Sequence, residues 1–233
     1  MSSSRATPDI KHFKVRSNLL ASMFELACPS LRRYVQRLVR QHALKDGADI
    51  GCGENSLLTP LRAHGFRTIG IDGSEEMLAS ARARGLHDEY ILSEFRKCEL
   101  DRQFDVVVMS HVIEHFTRDE ALEVLRRVEP LSRRMVYVET PRGFFEQPAL
   151  QGNPYQRHFS GWFPHDFEGR GYSVFGMGLR GLHYSCFGSN ALWRRTVNWT
   201  DRLTRRFVYR RPWMATTIGA IRFIDREGNW LKV

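Results

Sequence analysis

The sequence predicts an α/β domain wound on a mostly parallel sheet, and three observations lead to that class. Gly51-Cys52-Gly53 forms a glycine turn after a short strand-like segment, and Asp72 closes the next such segment nineteen residues after Gly53. Strand-like and helix-like patterns then alternate to about residue 190, the order a parallel sheet with crossover helices requires. The run Val106-Val107-Val108-Met109 is apolar without a break, as in a strand buried on both faces.

Taken in order, residues 1–17 are polar with isolated apolar positions and read as a mobile arm. Over residues 18–46, Leu20, Phe24, Leu31, Val35, Leu38 and Val39 recur at helical spacing, giving a helical lead-in that Pro29 divides. The core is expected over 47–190. Ala48–Gly51 is its first strand, Ser56–His64 a helix and Thr68–Asp72 the second strand. Ser74 suits an N-cap, Glu75 and Glu76 sit where the helix dipole favours acids, and that helix runs to Gly85. Tyr90–Leu92 is the third strand and Phe104–Ser110 the fourth. Thr117 and Glu120 have capping-box spacing and open a helix that ends near Pro130, before strand Met135–Glu139. A long loop, a short helix at Pro164–Glu168, a turn at Gly171 and strand candidates Tyr172–Met177 and Leu182–Phe187 follow.

A chain of 233 residues with 42% apolar content can bury the core of one domain of generous size. No apolar block suits a secretion signal or the ~20 residues of a spanning helix, so a cytoplasmic location is expected. Cys28, Cys52, Cys98 and Cys186 are too far apart for a paired-cysteine motif, so free thiols and no metal centre are expected. The net charge of +9 divides unevenly: residues 1–46 carry +6, residues 191–233 carry +7, and the middle carries −4. The positive charge therefore belongs to the flanking segments.

Glycines after a first strand and an acid about twenty residues on also occur in dinucleotide-binding enzymes. Two features separate this chain from them: Ser56 stands where the third glycine of that fingerprint belongs, and Asp49 lies two residues before Gly51. With Asp49-Ile50-Gly51-Cys52-Gly53, Gly70-Ile71-Asp72, Phe104-Asp105-Val106-Val107 and Val112-Ile113-Glu114-His115, the chain resembles the class I, Rossmann-like methyltransferases that use S-adenosylmethionine (SAM). His158-Phe159-Ser160-Gly161-Trp162, Asp166-Phe167 and Gly171-Tyr172 resemble the small-molecule and glycan methyltransferases of that superfamily. The resemblance covers about residues 44–190 and implies a seven-stranded sheet with an antiparallel last strand.

It also implies that Asp72 holds the ribose hydroxyls, with Gly73 beside it, while Gly51, Cys52 and Gly53 line the methionine part of SAM. Asp49 is expected to position the loop and to reach the cofactor's amino group, directly or through water. Cys52 reads as a small packed residue rather than a nucleophile. Ser110, which ends the fourth strand, is expected among the cofactor contacts with Ser93 and Glu94. Two positions depart from the family pattern: Asn55 replaces a glycine, and Ser93 followed by Glu94 stands where an adenine-contacting acid is usual.

An acceptor that arrives protonated needs a base, and the candidates in order are His158, His115 and His111. Glu114, His165 and Asp166 lie nearby. A loop-ordering pair is the competing reading for Glu114 and His115, as is a structural histidine for His158.

In the C-terminal extension, residues 191–233, Trp193, Val197, Leu203 and Phe207 suggest one apolar helix side among arginines, ended by Arg210-Arg211-Pro212-Trp213. Three readings stand: packing on the core, contact with an anionic membrane surface, or binding of nucleic-acid phosphates. The leading functional expectation is O-methylation of a small-molecule, sugar (glycan) or lipid-linked acceptor. An RNA methyltransferase and a catalytically silent scaffold of the same fold are the alternatives.

Overall fold

The computed structural model describes residues 29–149, 153–181, 191–225, 227 and 229–231. The expected arm, the first half of the lead-in, strand candidate Leu182–Phe187, Cys28 and Cys186 lie outside the described residues.

Helix α1 (Leu31–Gln41) begins just after Pro29 and buries Leu31, Val35, Leu38 and Val39, which share one face at helical spacing. Strands β1 (Asp46–Ile50), β2 (Arg67–Asp72), β3 (Glu89–Leu92), β4 (Phe104–Ser110) and β5 (Ser132–Pro141) are mutually parallel. Between them stand α2 (Thr59–Arg62), α3 (Glu75–Ala83) and α4 (Arg118–Val128); α5 (Pro164–Glu168) precedes β6 (Ser173–Leu179). Helix α6 (Ala191–Tyr209) then leads to β7 (Ala215–Ile224) and the short β8 (Trp230–Leu231).

The sheet order is β3-β2-β1-β4-β5-β7-β6, with β7 antiparallel to both neighbours and β8 hairpinned onto it. This is the Rossmann-like, mostly parallel order expected, with one two-residue strand added. Val106 to Met109 are fully buried, because β4 is central and covered on both faces. One apolar cluster, with α4, Trp162 and Phe167, fills one face; another, with α1, Leu57, Leu58 and Leu61, fills the other.

Three expectations change. The helix expected over Ser56–His64 is only Thr59–Arg62, because Ser56 turns its hydroxyl to Asp49 and accepts the Leu58 N–H instead of entering the helix. The extension expected to be helical over 191–233 is helical only to Tyr209, and residues 215–224 then enter the sheet. The sheet therefore continues past residue 190. Small residues in β7 make this fit: a Cβ on Gly219 would lie 2.1 Å from Leu31 Cδ2 and 3.2 Å from the Tyr137 ring. The faces of α6 are also not those expected. Val197 and Val208 are buried, while Leu203 and Phe207, placed on the same apolar side by the sequence, are 68% and 45% exposed.

Candidate functional site

The sheet order reverses between β1 and β4, and the site residues gather beyond the carboxyl ends of these strands, the usual crevice of such a sheet. Gly51 and Gly53 both have positive φ, 66° and 46°. A Cβ on Gly51 would come within 2.4 Å of Val112, so this turn needs glycine for space as well as for conformation. Asn55 does not take the left-handed conformation that would replace the third glycine. Asp72 ties the loop to the second strand: its Oδ2 accepts the Gly53 N–H at 2.9 Å and its Oδ1 the Ser74 N–H at 2.9 Å.

Around that carboxylate, the Tyr155 ring lies against Gly73, and Ser93 N–H donates to the Asp72 carbonyl at 2.9 Å. Glu94 is engaged by Arg96 and by Lys97, the latter at 3.7 Å. Cys52 is 2% exposed beneath the loop, and burial together with Asp49 and Asp72 raises its thiol well above the ordinary range. A thiol buried in this way is held in its neutral form.

Asp49 is buried and bonded to the Ser56 hydroxyl. Burial pushes its carboxyl up to about 7 against the help of Ser56 and Arg32. His87 Nε2 stands 3.9 Å from Asp49 Oδ2, beyond hydrogen-bond reach, and neither ring nitrogen has a partner. Burial and the nearby Arg62 lower His87 to about 4. Gly70 makes this burial possible, since a Cβ there would meet His87 at 2.6 Å and Cys52 at 2.9 Å.

A second cluster occupies the ends of β4 and β5, where Ser110 pairs with Glu139 in register. Glu139 accepts from Tyr137 OH at 2.5 Å, His111 Nε2 at 3.2 Å, Arg32 Nη2 at 3.3 Å and Arg32 Nε at 3.4 Å. Burial alone would raise this carboxyl, but the His111 and Arg32 cations outweigh it and hold it at about 2. Arg32 Nη2 also donates to Ser110 Oγ at 3.1 Å. His111 adopts φ 57°, unusual for a non-glycine residue, with its N–H on the Glu139 carbonyl at 2.8 Å. Its Nδ1 lies 3.3 Å from Glu114 Oε1. Burial opposes its charge, yet bonds to Glu114 and Glu139 raise it to about 10, which favours the charged, donating ring.

The other two histidines differ. His115 Nδ1 is 3.0 Å from the Arg157 carbonyl and His158 Nδ1 is 2.7 Å from the Phe145 carbonyl. A carbonyl only accepts, so each Nδ1 carries a proton, and Nε2 is the ring atom left for other partners. The rings meet edge to face with centroids 4.9 Å apart. Phe159 N–H (2.8 Å) and Ser160 N–H (3.2 Å) donate to the Glu114 carbonyl, which clamps the His158 segment onto the turn after β4. Arg118 secures the rest of that segment: it stacks over Trp162 at 4.0 Å, donates to the Gly161 carbonyl at 3.0 Å and pairs with Asp166. His165 is exposed and stacked on Phe163, so it and Asp166 brace the loop base. Phe144, Phe145, Tyr155, Phe159 and Phe163 are all exposed nearby.

The structure thus brings Asp49, Gly51, Cys52, Gly53, Asp72, Gly73 and Ser93 together around one loop, and His111, His115, His158 and Ser110 around the next crevice wall. The sequence reasoning missed Glu139, Arg32, Tyr137 and His87. A glutamate ending an apolar strand was a readable signal for Glu139; Arg32 and His87 carry no local signature.

Residues 48–130 match the family described as a methyltransferase domain. Among curated proteins the chain is similar to the ubiquinone biosynthesis O-methyltransferase of Rickettsia conorii, 27% identical over 129 residues that form 52% of this chain and 44% of that protein. It is equally similar to that of Rickettsia bellii, at 27% over 129 residues and 52% of each chain. The chain spans about half the length of the curated relatives it matches. Among solved structures it is similar to the magnesium protoporphyrin IX methyltransferase of Synechocystis with bound SAH, with TM-score 0.51 and 15% identity over 94% of this chain and 89% of that one. The N-methyltransferase NodS of Bradyrhizobium japonicum gives TM-score 0.51 and 14% identity over 85% and 94%. These likenesses concern the fold.

Proposed function

We propose that this chain, whose residues 48–130 match a methyltransferase-domain family, is a class I methyltransferase that transfers a methyl group from SAM to an oxygen of a small-molecule acceptor. The observation that carries this reading is the Asp72 carboxylate, locked between the Gly53 and Ser74 amides at the mouth of the glycine turn. A carboxylate has about four acceptor sites, so two remain for ribose hydroxyls. Gly51 and Gly53 let the loop backbone approach the methionine part, with Cys52 packed beneath, and Asp49 lies below for the cofactor's ammonium. Ser93 and Glu94 border the adenine end, where Glu94 must release Arg96 to take part.

SAM supplies a methyl group already activated on a sulfonium. What remains for the protein is to hold the acceptor oxygen in line, exclude water and accommodate the hydroxyl proton. His158, then His115, stand on the crevice wall with a free ring nitrogen, whereas the charged His111 orders Glu114 and Glu139. The exposed phenylalanines around His158 support an apolar or lipid-linked acceptor. The oxygen assignment leans on the curated relatives, which are named as O-methyltransferases.

The acceptor class has a companion in α6. Trp199, Leu203 and Phe207 form an exposed stripe continued by Trp213, with Arg202, Arg206, Arg210 and Arg211 alongside. Such a surface suits peripheral contact with an anionic membrane, where apolar burial and charge attraction add. No described helix is long and apolar enough to cross a membrane.

The test is methyl transfer from labelled SAM to hydroxylated aromatic, sugar and prenylated acceptors. The expected result is O-methylation that falls about a hundredfold in kcat in His158→Ala while SAM affinity holds. Transfer confined to nitrogen or to RNA would overturn the oxygen assignment.

A further inference from the structure

We propose that Glu114, His115 and His158 form a binding site for a first-row divalent cation of the Zn2+, Co2+ or Mn2+ kind. Their ligand atoms lie within 4.8 Å of one another, and among the described residues no other three His, Cys, Asp or Glu side chains meet this closely. Proximity alone would not single them out; the arrangement of their partners does.

Each imidazole is already oriented as a ligand. His115 and His158 both spend Nδ1–H on a backbone carbonyl, which fixes the tautomer and the ring plane and leaves Nε2 as the donor atom. That outer bond is the arrangement metal-binding histidines adopt, because it removes the cost of orienting the ring when the ion arrives. The carboxylate is equally prepared. Glu114 is 2% exposed, and its Oε2 accepts the Thr140 hydroxyl at 2.9 Å. Thr140 and His111 occupy two of its roughly four acceptor sites, so lone pairs remain for a cation. The two amide bonds to the Glu114 carbonyl hold the His158 segment against the turn that carries Glu114 and His115. The three ligands therefore belong to one braced unit although the sequence separates them.

Two imidazoles with one carboxylate select for first-row transition ions and zinc over magnesium, which prefers oxygen donors alone. Three protein ligands also leave coordination positions open for an acceptor oxygen or water.

The role of such an ion in catalysis rests on the function proposed above, whereas the site itself does not. A cation here would take the acceptor's hydroxyl oxygen as a ligand and lower its pKa, so that its proton passes to water. The oxygen lone pair then forms the O–CH3 bond, and the electron pair of the S–CH3 bond stays on sulfur as the sulfonium becomes a thioether. With the ion bound, His115 and His158 position the oxygen through it; without the ion, their Nε2 atoms are the proton acceptors proposed above.

The test is a calorimetric titration of the full, chelator-treated chain with Zn2+ and with Co2+, with SAM binding measured on the same samples. The expected result is one cation per chain, bound at least about tenfold more weakly by His115→Ala, His158→Ala and Glu114→Gln. His64→Ala, on an exposed loop away from the site, is expected to bind as the wild type does. No saturable binding by the wild type, or equal binding by all variants, would overturn the proposal. Should a variant fail to fold, the wild-type Co2+ spectrum decides: strong visible bands of a low-coordinate nitrogen and oxygen site uphold it, and the spectrum of the hydrated ion refutes it. Cation binding without SAM binding would keep the site and remove the methyltransferase reading. SAM binding without cation binding would do the reverse.

Discussion

Asp49 and His87 are two buried ionisable groups displaced in opposite directions by the same cause. Asp49 in the folded chain titrates at about 7 against an ordinary 3.8, so between pH ~4 and 7 the native state keeps a proton that the unfolded state has released. Its contribution makes stability fall as pH rises through that window. His87 titrates at about 4 against 6.5, so the unfolded state takes up a proton first, and its contribution makes stability fall as pH drops from 6.5 to 4. In the wild type the two slopes largely offset. Asp49→Asn is expected to unmask a loss of stability on acidification, and His87→Gln a loss on raising the pH. Denaturant unfolding at several pH values between about 4 and 7 reads both slopes, and identical slopes in all three proteins would contradict the assignment. At this scale the glycine turn and its tie to Asp72 were legible in the sequence, because both depend on local spacing. It did not disclose Arg32 or His87, whose roles come from contacts with residues distant in the chain.

Elements built from their own periodicity were legible, and elements built from neighbours were not. The capped helices α3 and α4 begin where Ser74 and Thr117 indicated, with the Glu120 carboxylate accepting the Thr117 N–H at 3.0 Å. Strand β7 was missed because Ala215, Gly219 and Ala220 interrupt the bulky pattern that marks a strand, Gly219 being small to admit Leu31 and Tyr137. Gly219→Ala is accordingly expected to destabilise by about 1–3 kcal/mol through overpacking, read by denaturant unfolding. For α6, the apolar residues were visible but not which of them face the core. Leu203→Glu and Phe207→Glu are expected to leave stability within about 0.5 kcal/mol, since both side chains are exposed, and to abolish sedimentation with anionic vesicles. Vesicle binding unchanged in both would remove the membrane reading.

On the scale of the whole molecule, the topology assembles the site. Parallel strands whose order reverses between β1 and β4 open a crevice at their carboxyl ends; Asp72 and the glycine turn stand on one side, and the histidines and Glu139 on the other. Alternation of strand and helix made this architecture readable from sequence, while the sheet's continuation through residues 215–224 was hidden behind a basic helix. The division of charge, −4 over residues 47–190 between basic flanks, agrees with a cofactor site in the acidic part and an arginine-lined surface outside it. The most direct measurement of the central claim is calorimetric binding of SAM to the wild type and to Asp72→Ala, with NAD as the competing ligand. The expected result is micromolar SAM binding, weakened about tenfold or more by the substitution, and none for NAD. A folded wild-type protein that does not bind SAM, or an Asp72→Ala variant that binds it equally well, would contradict it.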